Sequence, residues 1–102
     1  MAFIRLAKIS EVREGEVLSV ETDIGSVGLT RIGEEILAFQ NLCTHDDGPL
    51  DGGKLDGETI SCPRHGACFN IRDGAVLRMP ATEAIETYKV RVTGEDVEAD
   101  LD

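Results

Sequence analysis

The pattern of apolar and polar residues is clearest near the carboxyl end of the chain, where it repeats every two positions. Residues 85–92 read Ile-Glu-Thr-Tyr-Lys-Val-Arg-Val. Because successive side chains of a strand point to opposite faces, the odd-numbered positions of this segment share one face and the even-numbered positions the other. The alternation predicts a strand, and a turn at 93–96 leads into a last predicted strand at 97–101.

The first forty residues contain short apolar runs separated by turn residues, without the period of an amphipathic helix. Predicted strands lie at 3–9, 17–20, 27–29 and 36–39, and one helical turn is predicted at 10–12. Turns at intervals of about eight to twelve residues are typical of sandwiches and barrels. The sequence therefore predicts an all-β fold.

Residues 43–80 differ in composition from the rest of the chain. They hold all three prolines, more than half of the glycines, and the cysteines and histidines. Glycine and proline in this density are typical of loops. We interpret the region as loops on short strands, organised around something other than an apolar core.

Composition and charge narrow the class of protein. The chain has 102 residues, of which 41% are hydrophobic and 29% charged, as in a single globular domain. Twenty acidic residues against ten basic ones give a formal net charge of −10, which argues against nucleic acid and membrane surfaces as partners. The longest apolar runs have about four residues, whereas a membrane span needs roughly 18. Since the start also lacks a signal-peptide pattern, we expect a cytoplasmic protein.

An acidic run closes the sequence and consists of Glu95, Asp96, Glu98, Asp100 and Asp102. One interpretation is a docking patch for a basic partner. The other is a solvated edge whose charge discourages aggregation. We favour the solvated edge for this segment.

Both histidines stand beside cysteines, in the pattern C-x-H-x16-C-x2-H. The first pair is Cys43 and His45, and the second is Cys62 and His65. Each pair offers one soft thiolate and one imidazole, which suits a metal centre with mixed sulfur and nitrogen ligands. A structural zinc site also uses two cysteines and two histidines, but it commonly has the two cysteines in one pair and the two histidines in another. The mixed pairs favour a metal centre other than plain zinc, and a zinc-stabilised interaction module stays as the remote alternative.

Residues 41–70 resemble the Rieske iron–sulfur family in ligand spacing, in the Cys-Pro-x-His-Gly context of Cys62 and in the following Phe69. The chain is most similar to the bacterial Rieske ferredoxins that serve aromatic-ring dioxygenases. This resemblance implies a Rieske-type antiparallel β-sandwich or barrel with a small cluster-binding subdomain that carries two loops. The implied boundaries are a single domain at 1–102, a cluster-binding subdomain at about 41–80, and a base formed by 1–40 and 81–102.

The resemblance also implies one Rieske-type [2Fe–2S] cluster per chain, in which two histidines replace two cysteines on one iron. Carried over by position, Cys43 and Cys62 hold the inner iron. His45 and His65 hold the outer iron near the surface. Because thiolates favour the ferric state, we expect the arriving electron on the histidine-ligated iron.

The implied function is that of a soluble one-electron carrier rather than an enzyme. The carrier would accept an electron from a flavin-containing or iron–sulfur ferredoxin reductase and pass it to a terminal non-haem iron oxygenase. A monomer is the expected state. The same cluster would also serve the small Rieske-like subunit of a nitrite reductase or a carrier for iron–sulfur assembly, and the motif does not separate these roles.

The sequence departs from the high-potential Rieske proteins of respiratory complexes. Those proteins join their loops by a disulfide, whereas Arg64 stands in one matching position here. They also donate hydroxyl hydrogen bonds to the cluster sulfurs from positions that hold Ala67 and Phe69 in this chain. Fewer such bonds lower the potential, and ionised Asp46 and Asp47 would act in the same direction. We predict a midpoint at the low end of the Rieske range, on the order of −150 mV.

Four residues around the motif carry further expectations. Cys68 is interpreted as a small strand residue that is partly exposed, because it alternates with an inward Phe69. Gly48 and Gly66 would let backbone N–H groups approach the cluster sulfides. Met79 lies in a segment similar to the family's third loop. It either shields one side of the cluster or packs in the core, and we favour shielding.

Overall fold

The structure is a computed structural model that describes residues 2–64 and 66–101. Its described part contains ten strands and one turn of 3-10 helix, Ile9–Glu11, so the predicted all-β class is confirmed. The strands are β1 (Phe3–Lys8), β2 (Leu18–Thr22), β3 (Gly25–Ile32), β4 (Glu35–Gln40), β5 (Leu55–Asp56), β6 (Thr59–Ser61), β7 (Cys68–Asn70), β8 (Val76–Arg78), β9 (Thr87–Thr93) and β10 (Asp96–Asp100).

Six strands form the larger sheet, in the order β1-β10-β9-β4-β3-β2, with antiparallel neighbours. The pairing of β4 with β9 joins the two ends of the chain, with Ala38 opposite Tyr88. The strand predicted at 85–92 begins two residues later, because Ile85 is buried in the core beneath it. The larger sheet thus gathers the segments on both sides of the cysteine- and histidine-containing region.

Gly28 lies in the middle of β3, where a glycine usually weakens a strand. It pairs with Phe39 of β4, and the ring of Phe39 fills the space that a side chain would need. A Cβ atom on Gly28 would lie 2.6 Å from Cζ of Phe39. Phe39 is completely buried and belongs to the same apolar cluster as the cysteine-bearing loops.

The smaller sheet has the order β5-β6-β7-β8, and with its loops it contributes most of an apolar core that Phe39 and Ile85 complete. Ile60 and Phe69 pair across β6 and β7, and both are fully buried. The expectation that residues 43–80 are organised around something other than an apolar core is therefore wrong. Strands of two or three residues are too short to show an alternation, so the sequence pattern concealed this core.

An ion-pair network centred on Arg72 connects the smaller sheet to the larger one. Its guanidinium donates to both carboxylate oxygens of Glu35, at 2.8 and 2.9 Å, and to Glu58 at 2.8 Å. Glu35 begins β4, whereas Glu58 lies in the β5–β6 turn. The hydrogen bond from Arg72 lowers the pKa of Glu35, and the two carboxylates raise the pKa of Arg72. The network therefore links the start of β4 in the larger sheet to the β5–β6 turn of the smaller one.

The acidic run at the end of the sequence has basic partners on neighbouring strands. Asp96 accepts a hydrogen bond of 2.9 Å from Arg5 of β1, and Glu98 accepts one of 2.6 Å from Arg91 of β9. Asp102 lies outside the described residues. The strand that carries Asp96 and Glu98, β10, lies between β1 and β9, so the interpretation of this segment as a sheet edge is wrong. The sequence pattern does not show which strands will flank it.

None of the helical segments among the described residues has the length and hydropathy that a membrane crossing requires.

Candidate metal centre

The two loops that carry the cysteine–histidine pairs begin with the same backbone turn. Loop 1 (residues 43–50) follows β4, and loop 2 (residues 62–67) connects β6 to β7. The N–H of Cys43 donates to the carbonyl of Gly48 at 2.7 Å, and the N–H of Cys62 donates to the carbonyl of Ala67 at 2.7 Å. Each cysteine thus closes a turn of the same length.

The residue four positions after each cysteine completes this turn. The N–H of Asp47 donates to the carbonyl of Cys43 at 2.7 Å, and the N–H of Gly66 donates to that of Cys62 at 3.2 Å. Both residues have left-handed backbones, with φ of 60° at Asp47 and 76° at Gly66. Glycine adopts this conformation without strain, and aspartate is among the few other residues that tolerate it. The two loops are therefore structural equivalents that present their cysteines in the same way.

The two loops bring their cysteine side chains together in the protein interior. Cys43 is 0% exposed and Cys62 is 3% exposed. Their sulfur atoms and a carboxylate oxygen of Asp46 all lie within 4.8 Å of one another. Burial raises the pKa of the Cys43 thiol, and the neighbouring Cys62 adds to the rise. Two buried thiols this close ionise together only when a cation compensates their charge, as a metal centre does.

The histidines differ in what the structure describes. His45 lies in the turn of loop 1 and is exposed, whereas the cysteine two residues before it is buried. His65 lies outside the described residues. A donor set with buried thiolates and an exposed imidazole fits a cluster that has sulfur ligands inside and nitrogen ligands outside.

Cys68 does not join the buried pair. It is half-buried at the start of β7, and its sulfur lies 3.3 Å from the hydroxyl of Ser61 and 3.4 Å from the carbonyl of Gly66. The next residue, Phe69, is fully buried. The predicted partial exposure of Cys68 is confirmed.

Asn41 closes the base of loop 1 through a buried hydrogen-bond network. Its side-chain oxygen accepts from the N–H groups of Leu50, at 2.8 Å, and Asp51, at 2.9 Å. Its amide nitrogen donates to the carboxylate of Asp51 at 2.8 Å and to the hydroxyl of Ser26 in β3 at 3.0 Å. One side chain therefore fixes both ends of the loop to the larger sheet. The sequence analysis missed this residue, because a single asparagine before a loop has no distinctive pattern.

Asp46 and Arg64 connect loop 1 to loop 2 by a two-bond ion pair. Nε of Arg64 donates to one carboxylate oxygen of Asp46 at 2.5 Å, and a terminal nitrogen donates to the other at 3.0 Å. The hydrogen bond with Asp46 raises the pKa of Arg64, and the charges of Cys62, Asp46 and Cys43 contribute to the rise. Asp46 lies close to both sulfur atoms, and the guanidinium of Arg64 compensates part of its charge, so its lowering of the potential stays a prediction.

Gly48 has a second role that the sequence did not predict. A Cβ atom at this position would lie 2.7 Å from Cζ of Arg64, so the absent side chain makes room for the guanidinium. Gly66 alone of the two predicted loop glycines has a left-handed backbone. The approach of backbone N–H groups to cluster sulfides stays a prediction for both.

Residues around the third loop lie at the surface. Met79 is 75% exposed, which excludes a role in core packing, and its shielding of the cluster stays a prediction. The hydroxyl of Thr44 donates to the carbonyl of Glu83 at 2.7 Å and ties this segment to loop 1.

Ala67 and Phe69, at the positions where high-potential Rieske proteins donate hydroxyl hydrogen bonds, are both completely buried. Neither side chain has a hydroxyl group to donate.

Comparisons with known proteins agree with this geometry. The Rieske [2Fe-2S] domain family matches residues 2–89. The biphenyl dioxygenase ferredoxin subunit of Pseudomonas sp. (strain KKS102) is 36% identical over 99% of this chain and 94% of its own. The solved ferredoxin of Sphingomonas yanoikuyae B1 is 31% identical, with a TM-score of 0.92 over 99% of this chain and 100% of its own.

A further solved structure holds a relative together with its partner. It is the complex of reduced oxygenase and oxidised ferredoxin in carbazole 1,9a-dioxygenase. The matching chain is 28% identical, with a TM-score of 0.87 over 95% of this chain and 91% of its own.

The all-β fold and the buried thiol pair fit the iron–sulfur proteins of the electron-transfer class that these comparisons identify. The chain belongs to the Rieske [2Fe–2S] domain family, and its cofactor is a Rieske-type [2Fe–2S] cluster. Within that family it is of the ferredoxin type, an electron-transfer component rather than a catalytic enzyme.

Proposed function

We propose that this protein carries single electrons from a ferredoxin reductase, flavin-containing or iron–sulfur, to a terminal non-haem iron oxygenase. The observation that carries the proposal is the buried Cys43–Cys62 pair beside an exposed His45. When bound, the cluster supplies one-electron redox chemistry. The protein buries the two cysteines and leaves His45 exposed to a partner.

The proposed ligands are Cys43 and Cys62 for one iron and His45 and His65 for the other, with one cluster per chain. Support for the cysteines comes from their equivalent turns and their shared buried site. Support for the histidines comes from the motif and from the exposure of His45. Asp46 also has an oxygen near both sulfurs, but its hydrogen bonds with Arg64 occupy the carboxylate.

We also propose the cluster-binding subdomain at about 41–80 on a base formed by 1–40 and 81–102. The separate small sheet and its apolar core support this division. A cytoplasmic monomer is proposed from the composition and from the role of a diffusing carrier. The buried, hydroxyl-free Ala67 and Phe69 support a low potential, because they offer no side-chain donor to a cluster sulfur.

The terminal oxygenase is proposed as a partner because relatives of this chain serve dioxygenases and one is solved with its oxygenase. The net charge of −10 is expected to steer the protein toward basic patches on its partners. Screening by salt should weaken this steering.

Stopped-flow spectroscopy tests the carrier role directly. The reduced protein is mixed anaerobically with the terminal oxygenases of the biphenyl and carbazole systems, and its reoxidation is followed by absorbance. We expect reoxidation by at least one oxygenase, with a second-order rate constant that falls about tenfold from low to high salt. The ferredoxin of each system is the control. If each control is reoxidised and this protein is not, the proposed partner class is wrong.

A further inference from the structure

We infer that Asp46 and Arg64 form a clamp that holds loop 1 against loop 2 and keeps the cluster in the site between them. The inference rests on the proposed ligands Cys43 and Cys62, since it concerns how firmly their site retains the cluster. Both clamp residues act as positioning residues. Neither is proposed as a ligand.

The position of the clamp makes it a tie between the loops. Asp46 lies three residues after Cys43, and Arg64 lies two residues after Cys62. Their two parallel hydrogen bonds, at 2.5 and 3.0 Å, fix the relative orientation of the loops as well as their distance.

The clamp also balances charge at the site. A carboxylate oxygen of Asp46 lies within 4.8 Å of the sulfur atoms of both Cys43 and Cys62. An uncompensated carboxylate there would repel the thiolates that the cluster needs. The guanidinium of Arg64 compensates that charge where the two loops meet, and it stands in the field of both cysteines.

The backbone of loop 1 is shaped around the clamp. The N–H of Gly48 donates to the carboxylate of Asp46 at 3.0 Å, while its carbonyl accepts the N–H of Cys43. The guanidinium of Arg64 lies over the Cα of Gly48, where a Cβ atom would approach within 2.7 Å. The cysteine turn, the carboxylate and the guanidinium therefore form one continuous unit.

A double-mutant cycle on the cluster-loaded protein separates the tie from the charge. The variants are Asp46→Asn, Arg64→Gln and the double variant, which has the same net charge as the wild type. Cluster loss to excess iron chelator is followed by visible absorbance, and the midpoint potential is measured by titration. Arg64→Gln should lower the potential, Asp46→Asn should raise it, and the double variant should return close to the wild type. All three should lose the cluster about tenfold faster, because each lacks the bidentate pair.

Two further variants complete the design. The double variant Arg5→Gln/Asp96→Asn removes an ion pair of the same residue types from the larger sheet, and it should retain the cluster as the wild type does. Gly48→Ala leaves both clamp charges in place but displaces the guanidinium, so it should speed cluster loss with little change in potential. If the Asp46→Asn/Arg64→Gln protein does not fold, Gly48→Ala carries the test.

The outcomes distinguish this inference from the proposed function. A wild type without a Rieske-type spectrum would overturn the proposed function and the clamp together. A wild type with that spectrum, and a charge-neutral double variant that keeps the cluster equally long, would overturn the clamp alone. If only Gly48→Ala folds and it keeps its cluster as long as the wild type does, that result would also overturn the clamp alone.

Discussion

Replacing Cys43 by serine is expected to give a colourless protein that contains little iron. A serine hydroxyl is a poor substitute for a thiolate, and Cys43 lies fully buried in the core that also contains Cys62. We expect iron content below about a tenth of the wild-type level, because cluster binding and folding of the loops are coupled. Iron analysis and the visible spectrum of the anaerobically purified variant measure the effect.

Cys68→Ser provides the matched control. Cys68 is half-buried outside the thiol pair, and its sulfur contacts Ser61 and the carbonyl of Gly66, which a hydroxyl can also contact. Its spectrum and potential should stay close to those of the wild type. A Cys43→Ser protein that stays coloured would mean that Cys43 is not a ligand or that Cys68 has replaced it. The double variant Cys43→Ser/Cys68→Ser tells these two explanations apart.

The second large effect is expected at Gly74, in the turn between β7 and β8. Gly74 has a φ of 80°, and a Cβ atom there would lie 2.0 Å from the carbonyl oxygen of Ile85. Its own carbonyl accepts the N–H of Ile85, which is buried in the core that contains both cysteines. Gly74→Ala should therefore lower the free energy of unfolding by about 3 kcal/mol or more, because the alanine is strained in a left-handed backbone and its Cβ atom displaces the backbone of Ile85.

Gly94→Ala is the control for backbone strain alone. Gly94 has a φ of 63° in the β9–β10 turn, but no atom lies within 4 Å of the Cβ position. This variant should lose only about 1–2 kcal/mol. Urea unfolding of both variants gives the comparison. If both variants lose the same free energy of unfolding, the close contact with Ile85 adds no destabilisation, and this prediction is wrong.

Much of the larger sheet could be predicted from the sequence, because its strands are long enough to alternate. The strand after Glu86 and the final hairpin both showed a period of two. The smaller sheet could not be predicted in this way. Its strands at β6 and β7 have three residues each, so Ile60 and Phe69 look like isolated apolar residues until the two strands pair.

In the candidate site, too, some features could be predicted from local sequence and others could not. The spacing of Cys43, His45 and Cys62 was visible because metal ligands are rare residue types in a fixed local pattern. The supporting contacts were not visible. The bond between Asp46 and Arg64 joins residues 18 positions apart, and its existence depends on how two loops fold toward each other. A contact of this kind cannot be predicted from the local sequence around either residue.

An EPR-monitored redox titration of the anaerobically purified protein tests the central claim most directly. A [2Fe–2S] cluster with cysteine and histidine ligands should give a Rieske-type signal on reduction, with a midpoint on the order of −150 mV. A midpoint above about +100 mV would keep the cluster but contradict the argument from the hydroxyl-free Ala67 and Phe69. No signal at any potential, with zinc in the metal analysis, would contradict the electron-carrier account itself.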